Sequence, residues 1–197
     1  MAKRSADYLI VDAPQPLLVA GPKPLKILGI DPGLGRVGFG LMEWQNSRHR
    51  SVSKGPALLE WHVPHWGLMT TDKTQPDHNR LKELYTDFYQ LVADLSPDVL
   101  AIEKLFFFKN ITTAMPVSQA RGVLLLVAAQ YNLPVFEYTP MQVKQTLTGY
   151  GKAQKREVQE TLVQVLGLEK KPTPDDAADA IALAYCYTQM DGKRAMP

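Results

Sequence analysis

The sequence predicts an α/β protein built on one mixed five-stranded sheet with helices on both faces. Two β-rich runs, residues 25–30 and 37–42, flank the turn signal Asp31-Pro-Gly and pair as neighbouring strands. A continuous apolar run, Asp98-Val-Leu-Ala-Ile-Glu, sits between turn signals, as a strand buried on both faces does. From residue 81 onward helical and strand patterns alternate, which implies right-handed β-α-β units added to an initial meander.

Residues 1–24 carry Pro14, Pro16, Pro22 and Pro24 without periodicity and are expected to form an arm outside the fold. The fold begins at Leu25, and Val37, Phe39 and Leu41 then alternate with Gly38, Gly40 and Met42 to give a second strand. A polar stretch over 45–56, with Arg48, His49, Arg50 and Lys54, reads as a long hairpin loop before a third strand near 58–63. Leu81, Leu84, Tyr85, Phe88, Leu91, Val92 and Leu95 recur at helical spacing until Ser96-Pro97 stops them. The strand ending at Glu103 follows, then a helix over 118–130 and a strand over 135–138. Thr139-Pro140 opens a short helix, Gly167 closes one over 155–166, and the last runs from near Pro174 to about Met190. One domain is thus expected over 25–190, with 191–197 a short tail.

Apolar residues make up 45 % and charged residues 21 % of the 197 positions, the balance of an ordinary globule. The longest apolar run, 123–129, is far below the ~20 residues of a membrane span. With no signal peptide pattern and a lone Cys186, the sequence predicts a cytoplasmic protein without membrane association. The net charge of +2 says little, but Lys104, Lys109, Arg121, Lys144, Lys152, Lys155 and Arg156 face only Glu137 and Glu157 between 104 and 157. That segment either presents a solvated surface or meets a polyanion.

Four carboxylates carry the chemistry. Asp31 ends the first strand, Glu103 ends the fourth, and Asp176 and Asp179 stand three apart on one face of the last helix. If the first and fourth strands are adjacent and parallel, all four converge beyond the carboxyl ends of the strands, where such sheets bind ligands. Carboxylates that close repel one another unless protonated or bridged by a cation, and hard oxygen ligands suit Mg²⁺ or Mn²⁺. A pair of such ions is the apparatus of phosphodiester hydrolysis. Each acid also has a plainer reading: Asp31 as a turn residue, Asp176 as an N-cap, Glu103 as the partner of Lys104 or Arg121. Among Phe106, Phe107 and Phe108 one side chain can face a nucleic acid while the others pack inward.

Six ordered segments, Ile27-Leu-Gly-Ile-Asp-Pro-Gly, Ala101-Ile-Glu with Phe106 and Lys109-Asn110, Gln119-Ala-Arg-Gly-Val, Pro134-Val-Phe-Glu-Tyr, Gln142-Val-Lys-Gln-Thr and Asp176-Ala-Ala-Asp-Ala, resemble the RuvC crossover-junction endodeoxyribonucleases over about residues 25–190. The resemblance implies a ribonuclease-H-like fold, a homodimer and Mg²⁺- or Mn²⁺-dependent resolution of four-way Holliday junctions by paired nicks, in cooperation with the RuvA–RuvB branch-migration complex. It places the metal-binding acids on Asp31, Glu103, Asp176 and Asp179, the junction-contacting aromatic on Phe106 and DNA-facing lysines on Lys144 and Lys155. Arg121 and Lys152 join these as candidate phosphate contacts by charge. The arm, the polar hairpin and Val37, where Thr is common, depart from the family pattern, and Asp175 beside Asp176 leaves a one-residue ambiguity that the Asp-x-x-Asp spacing decides for Asp176. An actin-like ATPase would need a duplicated domain with a second phosphate loop, for which 197 residues leave no room. A non-catalytic junction-binding protein and a related nuclease acting on RNA remain as alternatives.

Overall fold

The structure, a computed structural model, describes residues 24–44, 61–105 and 111–192. The Pro-rich arm up to residue 23, the polar hairpin with the predicted start of the third strand, Phe106 to Asn110, and 193–197 lie outside the described residues. In chain order the elements are β1 (Lys26–Asp31), β2 (Arg36–Trp44), β3 (Trp61–Thr70), α1 (Asp77–Leu95), β4 (Val99–Glu103), α2 (Ile111–Gln130), β5 (Val135–Tyr138), α3 (Pro140–Thr148), α4 (Lys155–Leu166) and α5 (Asp175–Met190).

The five strands form one sheet in the order β3-β2-β1-β4-β5. β1, β2 and β3 make the expected antiparallel meander, and β1, β4 and β5 run parallel. Side-chain alternation divides the core in two. Leu28 and Ile30 of β1 and Leu100 and Ile102 of β4 pack with Leu84, Phe88, Leu91 of α1 and Leu124, Val127 of α2. Ile27 of β1 and Val99 and Ala101 of β4 face the other way, among Leu147 of α3, Val158 and Leu162 of α4, and α5 from Ala178 to Tyr187.

Local chemistry fixes the helix ends near the site. Thr139 accepts from the Gln142 backbone N–H at 3.1 Å while its own N–H donates to Gln142 Oε1 at 2.9 Å, a capping box opening α3. Gly149 and Gly167 adopt left-handed backbone after α3 and α4.

Two elements extend beyond their predicted bounds. β3 runs to Thr70, well past the predicted end near residue 63. Pro64, which reads as a breaker, sits on an edge strand opposite a register shift between Leu41 and Glu43, where its missing N–H removes no ladder bond. α2 starts at Ile111 rather than near Ser118, carrying Pro116 inside its early turns.

α5 lies directly across β1 and β2 because glycines face it. A Cβ on Gly29 would run into the Ala180 carbonyl oxygen, on Gly38 into the backbone and Cβ of Asp176, and on Gly40 into Ile181. Gly29→Ala and Gly38→Ala are therefore expected to lose about 1–3 kcal/mol or more of stability through overpacking. Chemical denaturation checks this, and a Gly29→Ala protein as stable as wild type would contradict the close approach.

Candidate active site

The same alternation that sorts the core sets the direction of the acids. Asp31 follows Ile27 and Gly29 at two-residue steps, and Glu103 follows Val99 and Ala101, so both carboxylates project toward α5. β1 and β4 are adjacent and parallel, with Ile30 opposite Ile102, and their carboxyl ends lie side by side. α5 contributes Asp176 in its first turn and Asp179 one turn on. Pro174 holds the N-cap position, so Asp176 stands inside the helix and is not its cap.

The electrostatics show how close the four acids come. The Asp31 carboxyl is pushed up to about 8, first by burial and then by the negative charges of Glu103, Asp179 and Asp176. Glu103 is raised as well, chiefly by burial, although the proton that Asp31 donates to it works in the opposite direction. The two side chains are hydrogen-bonded across the ends of neighbouring strands. Asp175 points elsewhere: it is hydrogen-bonded to Gln159 Nε2 at 3.1 Å and ion-paired with Lys171 at 3.1 Å, and these contacts lower its pKa. Of this neighbouring pair, Asp176 is the one whose charge raises Asp31.

Two cations stand against Asp176 and Asp179. Arg36, at the start of β2, donates to Asp176 Oδ2 at 2.5 Å. Lys155, the first residue of α4, holds Asp179 at 2.8 Å and Asp175 at 3.7 Å. Burial works against the Lys155 charge, but the Asp179, Asp175 and Asp176 carboxylates outweigh it and raise its pKa. Drawn toward these partners, the carboxylates leave no three His, Cys, Asp or Glu side chains, among the described residues, gathered tightly enough to hold a metal ion as they stand. The donor set nonetheless suits a hard divalent cation: oxygen ligands only, two of them raised by burial.

The remaining sequence candidates are spread out. Arg121 lies on α2, across the sheet from the acids. Its Nε donates to the Glu103 backbone carbonyl at 3.2 Å, and its guanidinium pairs with Glu137 of β5. It therefore clamps the ends of β4 and β5 from behind, and only 16 % of its side chain is exposed. Lys144 on α3 and Lys152 after it make no ion pair among the described residues, and Lys152 is exposed. Phe106 lies outside the described residues. Arg36 is the site residue that sequence reading missed, although a cation opening the strand after Asp31-Pro-Gly was a visible signal.

A sheet of this order with acids at the carboxyl ends of β1 and β4 and on the last helix defines a ribonuclease-H-like enzyme of the phosphodiester-cleaving class. The comparisons with known proteins narrow the class. Residues 27–187 match the family model described as crossover junction endodeoxyribonuclease RuvC. The RuvC protein of Thermotoga petrophila is 48 % identical over 163 residues, 83 % of this chain and 92 % of its own. That of Thermosipho melanesiensis is 46 % identical over 162 residues, 82 % of this chain and 96 % of its own. The structure of Thermus thermophilus RuvC in complex with a Holliday junction substrate superposes with a TM-score of 0.71 at 32 % identity, covering 83 % of this chain and 93 % of that one. The chain belongs to the RuvC family of crossover junction endodeoxyribonucleases.

The half-buried acids make a pH prediction. Asp31 binds its proton more tightly folded than unfolded, so between about pH 4 and about 8 the folded protein holds more protons and loses stability as pH rises. In EDTA the melting temperature should fall across that window. Asp31→Asn should flatten the fall and melt higher than wild type at pH 8. An Asn variant that melts lower there would show that the Asp31 charge is not a cost to the fold.

Proposed function

We propose that the chain resolves four-way DNA junctions by metal-dependent paired nicks, leaving 5′-phosphate and 3′-hydroxyl ends. The observation that carries this reading is the convergence of Asp31, Glu103, Asp176 and Asp179 on one sheet end in a chain of the RuvC family. The Thermus thermophilus relative solved with a Holliday junction supports junction DNA as the substrate over RNA, and the four acids favour an enzyme over a binding scaffold.

Asp31 and Glu103 would hold the cation, Mg²⁺ or Mn²⁺ with two ions per subunit, and Asp176 and Asp179 would close the set. Bound there, such ions activate water and stabilise the leaving oxygen. The rest falls to the chain. Buried strand ends fix Asp31 and Glu103, so little reorganisation accompanies reaction. Arg121 positions Glu103 by holding its backbone carbonyl, a role that competes with a direct DNA contact. Lys144, Lys152 and Lys155 lie on the α3–α4 side of α5, where they would neutralise phosphates. Phe106 would stack on or wedge between bases near the junction.

A junction with two symmetry-related scissile phosphates calls for a two-fold homodimer. α2 offers a face for it: Met115, Gln119, Gly122, Leu126 and Ala129 form one exposed stripe, with Met115 67 % and Leu126 53 % exposed and nothing within 4 Å of a Cβ built on Gly122. The reading extends to cooperation with the RuvA–RuvB complex, to a cytoplasmic setting and to a nuclease domain over 25–190 flanked by an arm and a tail. No helix among the described residues is long and apolar enough to cross a membrane.

Incubation with a mobile four-way junction, a linear duplex and an RNA hybrid, each with Mg²⁺ or EDTA, tests the activity. Symmetrical, metal-dependent nicking of the junction alone is expected. Asp31→Asn should nick orders of magnitude more slowly while binding junction in EDTA at least as well as wild type, because one repelling carboxylate is gone. Lys144→Ala and Lys152→Ala should each lower the log–log salt slope of binding by about 0.9, whereas Phe106→Ala should slow nicking at an unchanged slope.

Leu126→Glu places a charge at the centre of the α2 stripe and should sediment as a monomer at concentrations where the wild type is dimeric. A variant that stays dimeric moves the interface elsewhere.

A further inference from the structure

We propose that Arg36 is a displaceable counter-ion of the acidic site: its guanidinium holds Asp176 while no metal is bound, and is released to a DNA phosphate when a divalent cation recruits that carboxylate. The inference rests on the reading of the four acids as metal ligands.

Arg36 and Asp176 are 140 residues apart in sequence and 2.5 Å apart in space. The pair does not brace the fold. The Arg36 side chain is 56 % exposed, and an ion pair that open contributes little to stability. The position of Asp176 is set instead by its backbone, which rests on Gly38. With the backbone fixed, the carboxylate changes partner by side-chain rotation alone. A doubly charged cation beside Asp31 and Glu103 attracts it more strongly than one guanidinium in contact with solvent.

What happens to the two cations on release differs. Lys155 loses Asp179 but keeps Asp175 within 3.7 Å. Arg36 has no second ion pair among the described residues, and its near neighbour Arg80 is committed to Thr71 Oγ1 at 3.1 Å and Asp77 at 3.2 Å. A freed guanidinium at the rim of the site, on the strand joined to β1 by the turn after Asp31, has a phosphate as its matching partner, since its planar fork suits two phosphate oxygens. Metal and DNA binding are then coupled through one side chain, beyond simple charge neutralisation.

Arg36→Gln removes the competing cation. Without DNA, Mn²⁺ binding followed by the electron paramagnetic resonance of free Mn²⁺ should tighten about two- to fivefold, the range that an exposed ion pair spans. Junction affinity of the variant should fall more in Ca²⁺ than in EDTA, and its salt slope in Ca²⁺ should drop by about 0.9. Arg36→Lys should restore Mn²⁺ competition and part of the Ca²⁺-dependent affinity. Unchanged Mn²⁺ affinity in Arg36→Gln, or an equal loss of junction affinity in Ca²⁺ and EDTA, would overturn the proposal. Asp31→Asn separates the two levels: if it abolishes Mn²⁺ binding while Arg36→Gln leaves it unaltered, the switch alone is wrong, and if wild type and Asp31→Asn bind Mn²⁺ alike, the assignment of the acids fails with it.

Discussion

The molecule depends on how closely α5 can approach the sheet. Gly29, Gly38 and Gly40 remove the Cβ layer from β1 and β2 where the helix crosses, and Ala177, Ala180 and Ala184 present little more than backbone in return. Glycine in a strand costs roughly 0.5–1 kcal/mol in conformational freedom. That cost is offset by burying a helix from Ala177 to Thr188 with only Asp179 between them left partly open. The gain is more than packing. A helix standing at ordinary distance from the sheet would hold Asp176 and Asp179 too far out to act on Asp31, whereas here both raise its pKa. The glycines of one element thus set the electrostatics of another.

Crowding of that kind is tolerated in two ways, and the structure uses each at a different depth. At the ends of β1 and β4 the Asp31 carboxyl hydrogen-bonds to Glu103, and burial together with the neighbouring negative charges raises both. Nearer solvent, Asp176 and Asp179 pair with Arg36 and Lys155. A divalent cation bound as proposed would replace both arrangements at once, taking the place of the Asp31–Glu103 hydrogen bond and drawing Asp176 and Asp179 from their cations. On that reading the cluster would be unfavourable to stability without metal and favourable with it, as a functional carboxylate cluster often is.

Much of this was legible in the sequence because it follows from period. Asp31 and Glu103 fall on the α5 face by counting two residues at a time, and the Asp176–Asp179 spacing places two acids on one helical face whatever the tertiary contacts. The α3 capping box and the glycine after α4 are equally local. What escaped was either non-local or masked by proline. Pro64 and Pro116 look like stops, yet an edge strand opposite a bulge accepts the first and an early helical turn contains the second. Arg36 escaped because its partner is 140 residues away. Arg121 carries the same charge as a phosphate-binding residue, and only the pairing of Ile102 with Glu137 reveals that its partner waits on the far side of the sheet.

That division of faces explains how one small sheet can serve two demands. Residues of β4 that point toward α5 carry the acid, and the backbone of the same strand end is held from behind by Arg121 through a carbonyl that takes no part in the site. Charge on the α5 face can rearrange without loosening the clamp, because the clamp belongs to α2. The exposed stripe of α2 points away from both, since Ala120, Leu124, Val127 and Ala128 of the same helix turn inward to the core. A second copy seated on that stripe would leave the carboxyl ends of β1 and β4 open in each protomer. Pairing through α2 and access to DNA at α5, both as proposed, would then make no competing claim on the same surface, which is the condition a two-fold enzyme with one cut per subunit has to meet.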